Sequence, residues 1–428
     1  MSWVNCKLSG FCDIVMGQSP PSSSYNEKKD GLPFFQGKAG FGDLYPHIKK
    51  YCNKPKKIAK KNDTLLSVRA PVGPTNLAPE KSCIGRGLAA IRAIDSVDYK
   101  FIFYLLRSKQ VYLSGKGTGT TFKAITKDFL FDLDIAFPSL HEQVQVISLI
   151  EQLFSDLDNA IDNLKKAKDQ LKVYRQSVLK YAFEGKLNKN CGTFKTVELR
   201  TVCDSVQNIS KFVNPIDSFL YIDIGCIDNA SNRVVCNKQY LWKEAPSRAK
   251  QIIKSGDILF PTVRTYLKNI AMVPDKYDGQ IGSTGFCVIR PKKDCLDSQY
   301  IFHYVLWDKF INHISTFQTG TSYPAVRDDD VFSQLLPISD LPSQKLIVNE
   351  IESRFSVCDK MEETINSSLE QAEALRQSIL KQAFGGKLSE EWRKNHPDLI
   401  SGENSAKALL ERIKKERGAL KNTKKRKK

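Results

Sequence analysis

The stretch 139–187, SLHEQVQVISLIEQLFSDLDNAIDNLKKAKDQLKVYRQSVLKYAFEGKL, returns 201 residues later as 340–388, DLPSQKLIVNEIESRFSVCDKMEETINSSLEQAEALRQSILKQAFGGKL. No gap is needed between Thr118/Thr319 and Leu187/Leu388, and the ends RQSVLKYAFEGKL and RQSILKQAFGGKL agree best. A period near 200 is too long for a solenoid repeat. It marks a duplicated domain together with an appended helix. The alternative is two unrelated amphipathic core helices.

Both copies read as long helices. In the first, Ile150, Leu157, Leu164, Leu171 and Val178 recur every seven residues, and Leu153, Ala160, Ala167, Tyr174 and Tyr181 follow three further on. This predicts an a/d seam over about five heptads. The second copy keeps the a row (Ile351, Cys358, Ile365, Ala372, Ile379), but its d row is patchier: Arg354, Met361, Ser368, Leu375, Gln382. Ser139 with Glu142 predicts a capping box, and Asp340 with Pro342 does similar work. Gly185 and Gly386 stand where a glycine would end each helix. At 1.5 Å per residue, roughly 45 residues span about 65–70 Å, far more than a head of this size needs for its core. Such helices are spacers, and the simplest partner for each is the other, packed antiparallel.

The chain's 428 residues leave room for two or three domains, and 41% apolar content suffices for real cores. A net charge of +18 makes acidic partners expected, nucleic acid first and anionic membrane second. No apolar run is long enough to span a bilayer, and MSWVNCKLSG lacks the basic start and apolar core of a signal peptide. Eleven cysteines without a CxxC read as buried small residues in a reducing cytoplasm.

The expected organisation is a first head over 1–138, a spacer helix over 139–187, a linker over 188–195, a second head over 196–339, a second spacer helix over 340–388, and a basic C-terminal helix and tail over 389–428. The fold class is mixed α+β: two α/β heads in tandem, each followed by a long helix. WVNCKLSGFCDIV (3–15), IRAI (91–94) and DLDIAF (132–137) read as strands, and FIFYLLRS (101–108) as a short buried helix or strand. The heads themselves are related. NDTLLSVRAPVGPTNLA (62–78) matches GDILFPTVRTYLKNIA (256–271), CIGRG (83–87) matches QIGSTG (280–285), and KGTGTTFKAITKD (116–128) matches QTGTSYPAVRDD (318–329). Sheet order does not follow from the sequence. Arg412–Lys428 carries ten Lys/Arg against one acid, a solvated tail or a phosphate-binding arm.

No catalytic constellation emerges. GKGTGTT (115–121) lacks the trailing Lys-Ser/Thr of a Walker A loop. The five histidines lie far apart without an HExxH, and no Asp-Pro-Pro-Tyr or Asn-Pro-Pro-Tyr tetrapeptide is present. What remains are basic, hydroxyl-rich and aromatic loops in each head. In head one they offer Gln18, Ser22, Ser23, Tyr25, Lys38, Arg69, Arg86, Lys116 and Thr118. In head two they offer Lys211, Arg264, Tyr266, Lys268, Ser283, Thr284, Thr319, Ser322 and Tyr323. Arg and Lys can bond guanine edges, Gln can pair with adenine, and hydroxyls can position phosphates. For any one of these residues a solvated loop is the plainer role. The paired placement of Arg69 and Arg264 is the best individual signal, although a role in the turn serves as well.

With the duplication laid out, the chain closely resembles the specificity (S) subunit of type I restriction-modification enzymes. The resemblance is carried by GQSPPSSSY, LLSVRAPVG, ILFPTVRTY, YIDIGCID, QTGTSYPAV and the twin RQS[VI]LKxAFxGKL endings followed by SEEWRKNHPDL. It implies that each head is a target recognition domain reading half of a bipartite double-stranded DNA site. It implies that the helices set the unread gap and dock two methyltransferase (modification) subunits, with restriction subunits in the full complex. The chain itself would be non-catalytic and hold no cofactor; S-adenosylmethionine, ATP and Mg²⁺ would belong to the partner subunits. Two other readings stand beside this one: a non-specific DNA-binding coiled-coil scaffold, and a self-contained DNA methyltransferase or nuclease, against which the missing motifs argue.

Overall fold

The structure, a computed structural model, describes residues 2–94, 96–117, 124–187, 193–209, 218–320 and 324–426. The chain forms two compact units, Met1–Asn163 with Ser368–Lys428, and Leu164–Ser367. Each unit holds one head and parts of both long helices, so the unit boundaries fall within the helices.

In the first unit, an antiparallel sheet runs in the order Cys12–Met16, Leu88–Ala93, Thr64–Ser67, Thr75–Leu77. A second, mixed sheet runs in the order Tyr25–Asn26, Tyr51–Cys52, Leu32–Phe35, Ser82–Ile84, Ile58–Ala59. Val4–Lys7 pairs with Asp134–Phe137 beside them. FIFYLLRS lies in a helix, Tyr99–Ser108: Asp98 caps its start by accepting from the Lys100 N–H at 2.7 Å, and Phe101 to Leu106 are all buried.

The second unit repeats this plan. One sheet runs Cys203–Asp204, Phe286–Pro291, Ile258–Pro261, Ala271–Met272, and another Gln239–Leu241, Ser218–Ile222, Ile281–Ser283, Ala249–Ile252. Lys195–Glu198 pairs with Leu335–Ile338, and Asp297 caps helix Ser298–Val305.

The acidic turn shared by the two heads is built the same way in both. Asp63 is buried, accepts from the Lys60 N–H at 2.7 Å, and holds Arg92 through two bonds of 2.9 and 2.7 Å. Asp257 is buried likewise, accepts from the Lys254 N–H at 2.7 Å, and holds Arg290 at 2.8 and 2.6 Å. The residue before each aspartate adopts positive φ, Asn62 at 67° and Gly256 at 85°. These residue types enter the left-handed region most readily.

The long helices are Leu140–Phe183 and Leu341–Phe384, 44 residues each. Both end in a Schellman motif. Lys186 N–H donates to Tyr181 O and Gly185 N–H to Ala182 O; Lys387 N–H donates to Gln382 O and Gly386 N–H to Ala383 O. Gly185 and Gly386 sit at φ 70° and 72°, which favours glycine. At the starts, Ser139 Oγ accepts from Glu142 N–H at 3.3 Å and Asp340 from Ser343 N–H at 2.8 Å. The capping box at Ser139 is not reciprocal. The Glu142 carboxylate is fully buried and accepts instead from Arg393 at 2.6 Å and Ser389 at 2.7 Å. That pair ties the start of the first helix to helix Glu390–Asn395.

The expected a/d seam is corrected to a and e. The a residues Ile150, Leu157, Val178, Ile351, Cys358, Ile365, Ala372 and Ile379 are buried, whereas the d residues Tyr174, Tyr181, Met361 and Leu375 are exposed. The second inward row stands four residues after a, where Phe154, Ala182 and Ala383 are buried, within the i, i+3, i+4 stripe of a 3.6-residue helix. It brings together a contact made twice. Within the second unit, Arg175 lies over the Phe355 ring at 5.2 Å and pairs with Asp359 at 2.7 Å. Within the first, Arg376 lies over Phe154 at 5.2 Å and pairs with Asp158. All three residues are duplicates at the 201-residue period, so these contacts fix the antiparallel register.

His303 is buried among aromatic residues, edge-on to Phe355, and neither ring nitrogen has a hydrogen-bond partner. Burial pushes its pKa down to about 4. Its unfolded value is near 6.5, so the unfolded chain binds the proton more tightly. Stability contributed by the neutral ring is present above pH 6.5 and lost as pH falls through 4, by about 3 kcal/mol in all. Urea midpoints measured between pH 7 and 4 should therefore fall less steeply for His303→Phe than for the parent; parallel curves would refute this.

Candidate nucleic-acid interface

In head one, Leu32–Phe35 and Ser82–Ile84 are parallel neighbours, with Phe34 opposite Cys83 and Phe35 opposite Ile84. Their carboxyl ends deliver Gln36 and the Gly85–Gly87 turn to the same apex. Gly85 N–H donates to Phe35 O at 2.8 Å and Gly87 N–H to Gln36 O at 3.1 Å. A third segment joins them: Gly17 N–H donates to Leu88 O, and Gln18 N–H to Ile84 O. The approach needs glycine, because a Cβ at Gly17 would stand 2.2 Å from Gly85 O and one at Gly87 2.5 Å from Gln36 O. Val68 N–H donates to Gly87 O at 2.9 Å and sets Arg69 beside the apex.

The apex therefore gathers Gln18, Lys38, Arg69 and Arg86 of the predicted set, all exposed. Ser22 and Ser23 are exposed in a short turn nearby. Tyr25 is tied down: its hydroxyl donates to Pro20 O at 2.8 Å and its ring stacks on Phe34. Lys116 is exposed at the end of helix Gln110–Lys116, with its ammonium over Tyr112. Thr118 lies outside the described residues.

Two features of this apex escaped sequence reasoning. One is Gln36. The other is a run of seven exposed lysines, Lys49, Lys50, Lys54, Lys56, Lys57, Lys60 and Lys61, whose density within thirteen residues was a legible signal. Strand pairing carries part of the run to the apex: Phe34 N–H donates to Lys50 O at 2.9 Å, and Ile84 N–H to Lys57 O at 3.0 Å. Lysines thus flank Gln36 and Arg86 on both sides.

Head two builds the same apex with different side chains. Tyr221 and Ile222 run parallel to Ile281 and Gly282, and deliver Asp223 opposite the Ser283–Gly285 turn. Asp223 is paired with Lys238 through two bonds of 2.9 and 2.8 Å. Thr284 is exposed and its N–H donates to Arg248 O. Ser283 is buried, with its hydroxyl accepting from Gly285 N–H at 3.1 Å, so it shapes the turn. Tyr266 is 56% exposed, while Lys268 is ion-paired with Asp308. Thr319 is exposed and exchanges two backbone bonds with Ala325. Lys211, Ser322 and Tyr323 lie outside the described residues.

The pairing of Arg69 with Arg264 is corrected by one residue. Arg69 bridges Ala124, and its counterpart opposite Ala325 is Val263. Arg264 stands one place later, in the left-handed region at φ 51°, donating its N–H to Pro324 O. A one-residue slip reverses the face of an extended chain, so the two arginines do not present alike.

Among the described residues no cluster of His, Cys, Asp or Glu could hold a metal ion, and no helix is long and apolar enough to cross a membrane. What the two apices offer is polar and basic groups on glycine-tightened turns, a surface suited to base edges and phosphates.

The family model for the type I restriction modification DNA specificity domain matches residues 1–173 and again 193–371. The chain belongs to this family. It is 28% identical over 348 residues to the type I restriction enzyme EcoDI specificity subunit of Escherichia coli, covering 75% of this chain and 77% of that one. It is 43% identical over 178 residues to the putative type I restriction enzyme MjaX specificity subunit of Methanocaldococcus jannaschii, a match spanning 41% of each chain. A chain from a structure described as "Structural basis underlying complex assembly and conformational transition of the type I R-M system" shares the fold, with a TM-score of 0.63, 16% identity, and coverage of 90% of this chain and 98% of that one.

Proposed function

We propose that this chain is the non-catalytic, sequence-reading subunit of a type I restriction-modification enzyme, each head reading one half of a bipartite double-stranded DNA site. The observation that carries this is the duplicated apex: the same parallel strand pair, in heads that share the same Asp–Arg pair, presents Gln36 and Arg86 in one head and Asp223 and Thr284 in the other. A shared scaffold with exchanged tips suits two heads that read different sequences. The long helices set the unread gap and dock two modification subunits. S-adenosylmethionine, and the ATP and Mg²⁺ of the restriction subunits, belong to those partners.

Lysine contacts to phosphate supply salt-sensitive affinity for any duplex. Base contacts add discrimination, and linking two heads makes their half-sites cooperate through effective concentration. The test is co-expression with a modification subunit, followed by mapping of methylated adenines across a genome. Two short motifs at a fixed gap are expected. A stable complex that methylates nothing, or equal affinity for all duplexes, would overturn the reading in favour of a non-specific scaffold.

A further inference from the structure

The internal duplication supplies a comparison that a single head could not. The parallel pairing sets Phe35 opposite Ile84 and Ile222 opposite Gly282. Gln36 therefore occupies the place of Asp223, Arg86 that of Thr284, and Gly87 that of Gly285. The supporting positions keep their chemistry: Asp63 and Asp257, Arg92 and Arg290, Ala124 and Ala325. The exposed tips do not. Where scaffold is held and tips are exchanged, the tips are where the heads differ in what they touch.

Gln36 is exposed yet held. Its Nε2 donates to Ser19 Oγ at 2.8 Å, and its amide lies over Gly85, where a Cβ would stand 2.4 Å from Oε1. The same Ser19 Oγ accepts from the Arg86 N–H at 3.3 Å. One hydroxyl thus anchors the Gln36 amide and the Arg86 backbone. A primary amide has two N–H donors and an acceptor oxygen. With one N–H on Ser19, the other N–H and the oxygen remain to meet N7 and N6 of an adenine. The Arg86 guanidinium beside it carries the donor fork that matches guanine O6 and N7. Lys50 and Lys57, brought to either side by strand pairing, are placed for the backbone phosphates. In head two the Asp223 carboxylate is occupied by Lys238, so that apex presents an ammonium where head one presents an amide.

We propose that Gln36 and Arg86 are the specificity-determining residues of head one, Gln36 reading an adenine and Arg86 a guanine, with Ser19 positioning both. This rests on the function proposed above. The experiment maps methylated motifs made by the assembled complex with the parent chain, Gln36→Ala, Arg86→Ala, Ser19→Ala and the double variant Lys50→Ala/Lys57→Ala. Gln36→Ala is expected to relax one position of one half-site by about 5- to 150-fold and Arg86→Ala a different position of that half-site. Ser19→Ala should relax both positions more weakly. The lysine variant should weaken binding to every duplex and flatten its salt dependence without changing the motif. The other half-site and the gap should stay unchanged throughout. A bipartite motif from the parent that survives both Gln36→Ala and Arg86→Ala unaltered would overturn this assignment while leaving the function standing. No bipartite motif from the parent itself would overturn both.

Discussion

Asp257→Ala is expected to destabilise the second unit by about 3–5 kcal/mol, because it leaves the buried Arg290 guanidinium without its carboxylate and with the Ile252 carbonyl as its remaining partner. Arg290 is 9% exposed and Asp257 1%, and the aspartate also accepts from the Lys254 N–H that closes the turn. The contact holds Arg290 above its ordinary pKa, chiefly through the hydrogen bond to Asp257. Removing the carboxylate thus strands both a charge and a backbone donor. Replacing both partners by apolar residues of similar volume, Asp257→Leu with Arg290→Met, should recover the part of the loss owed to the stranded guanidinium, while the Lys254 N–H stays without its acceptor. Urea unfolding of the full chain measures both variants. A loss under 1 kcal/mol for Asp257→Ala would show that the pair does not support the head.

Phe183→Ala should be comparably damaging, by about 3–5 kcal/mol, through the cavity it opens. Phe183 is 5% exposed at the last turn of its helix, edge-on to Tyr300 at 5.2 Å and Tyr304 at 5.0 Å and tilted against Trp307 at 5.9 Å. Val178, Leu179 and Ala182 enter the same core. This helix end is thus part of the head, which accounts for the tight agreement of the two RQSxLKxAFxGKL segments. Their apolar residues fill the head cores, their arginines grip the opposite helix, and their glycines terminate the turn. In the first unit, Phe384 meets Phe101 at 5.5 Å in the corresponding place. Thermal unfolding of Phe183→Ala against Phe183→Leu, which keeps most of the volume, isolates the cavity effect; equal losses would argue that the ring contacts, not the volume, matter.

Local chemistry accounts for what could be read directly. Capping by Ser139 and Asp340, termination at Gly185 and Gly386, and the helicity of two 44-residue segments depend on neighbours within a few residues, so sequence carries them. The duplication was legible for the same reason: register is a property of the string. The acidic turns at Asp63 and Asp257 were also visible, but not their partners. Arg92 and Arg290 lie 29 and 33 residues further on, and only the strand pairing brings them back.

The misplaced readings have one physical origin. Heptad notation cannot say whether the second inward row stands three or four residues after the first. The rings of Phe154 and Phe355 under Arg376 and Arg175 decide it. A short alignment cannot say which residue of a turn keeps the ladder, and the bridges at Ala124 and Ala325 shift Arg264 one place from Arg69. A side chain's type does not state its accessibility: Ser283 is buried and Lys268 is ion-paired, whereas Gln36, unremarkable in sequence, is carried to the apex by a parallel strand. The sequence by itself determined that there are two copies of a head and a rod, where the rods start and stop, and that the surface is basic, because propensity, capping and charge are local. The tertiary structure alone decided which residues meet at each apex and which face each rod buries, because those depend on pairings between segments far apart in the chain.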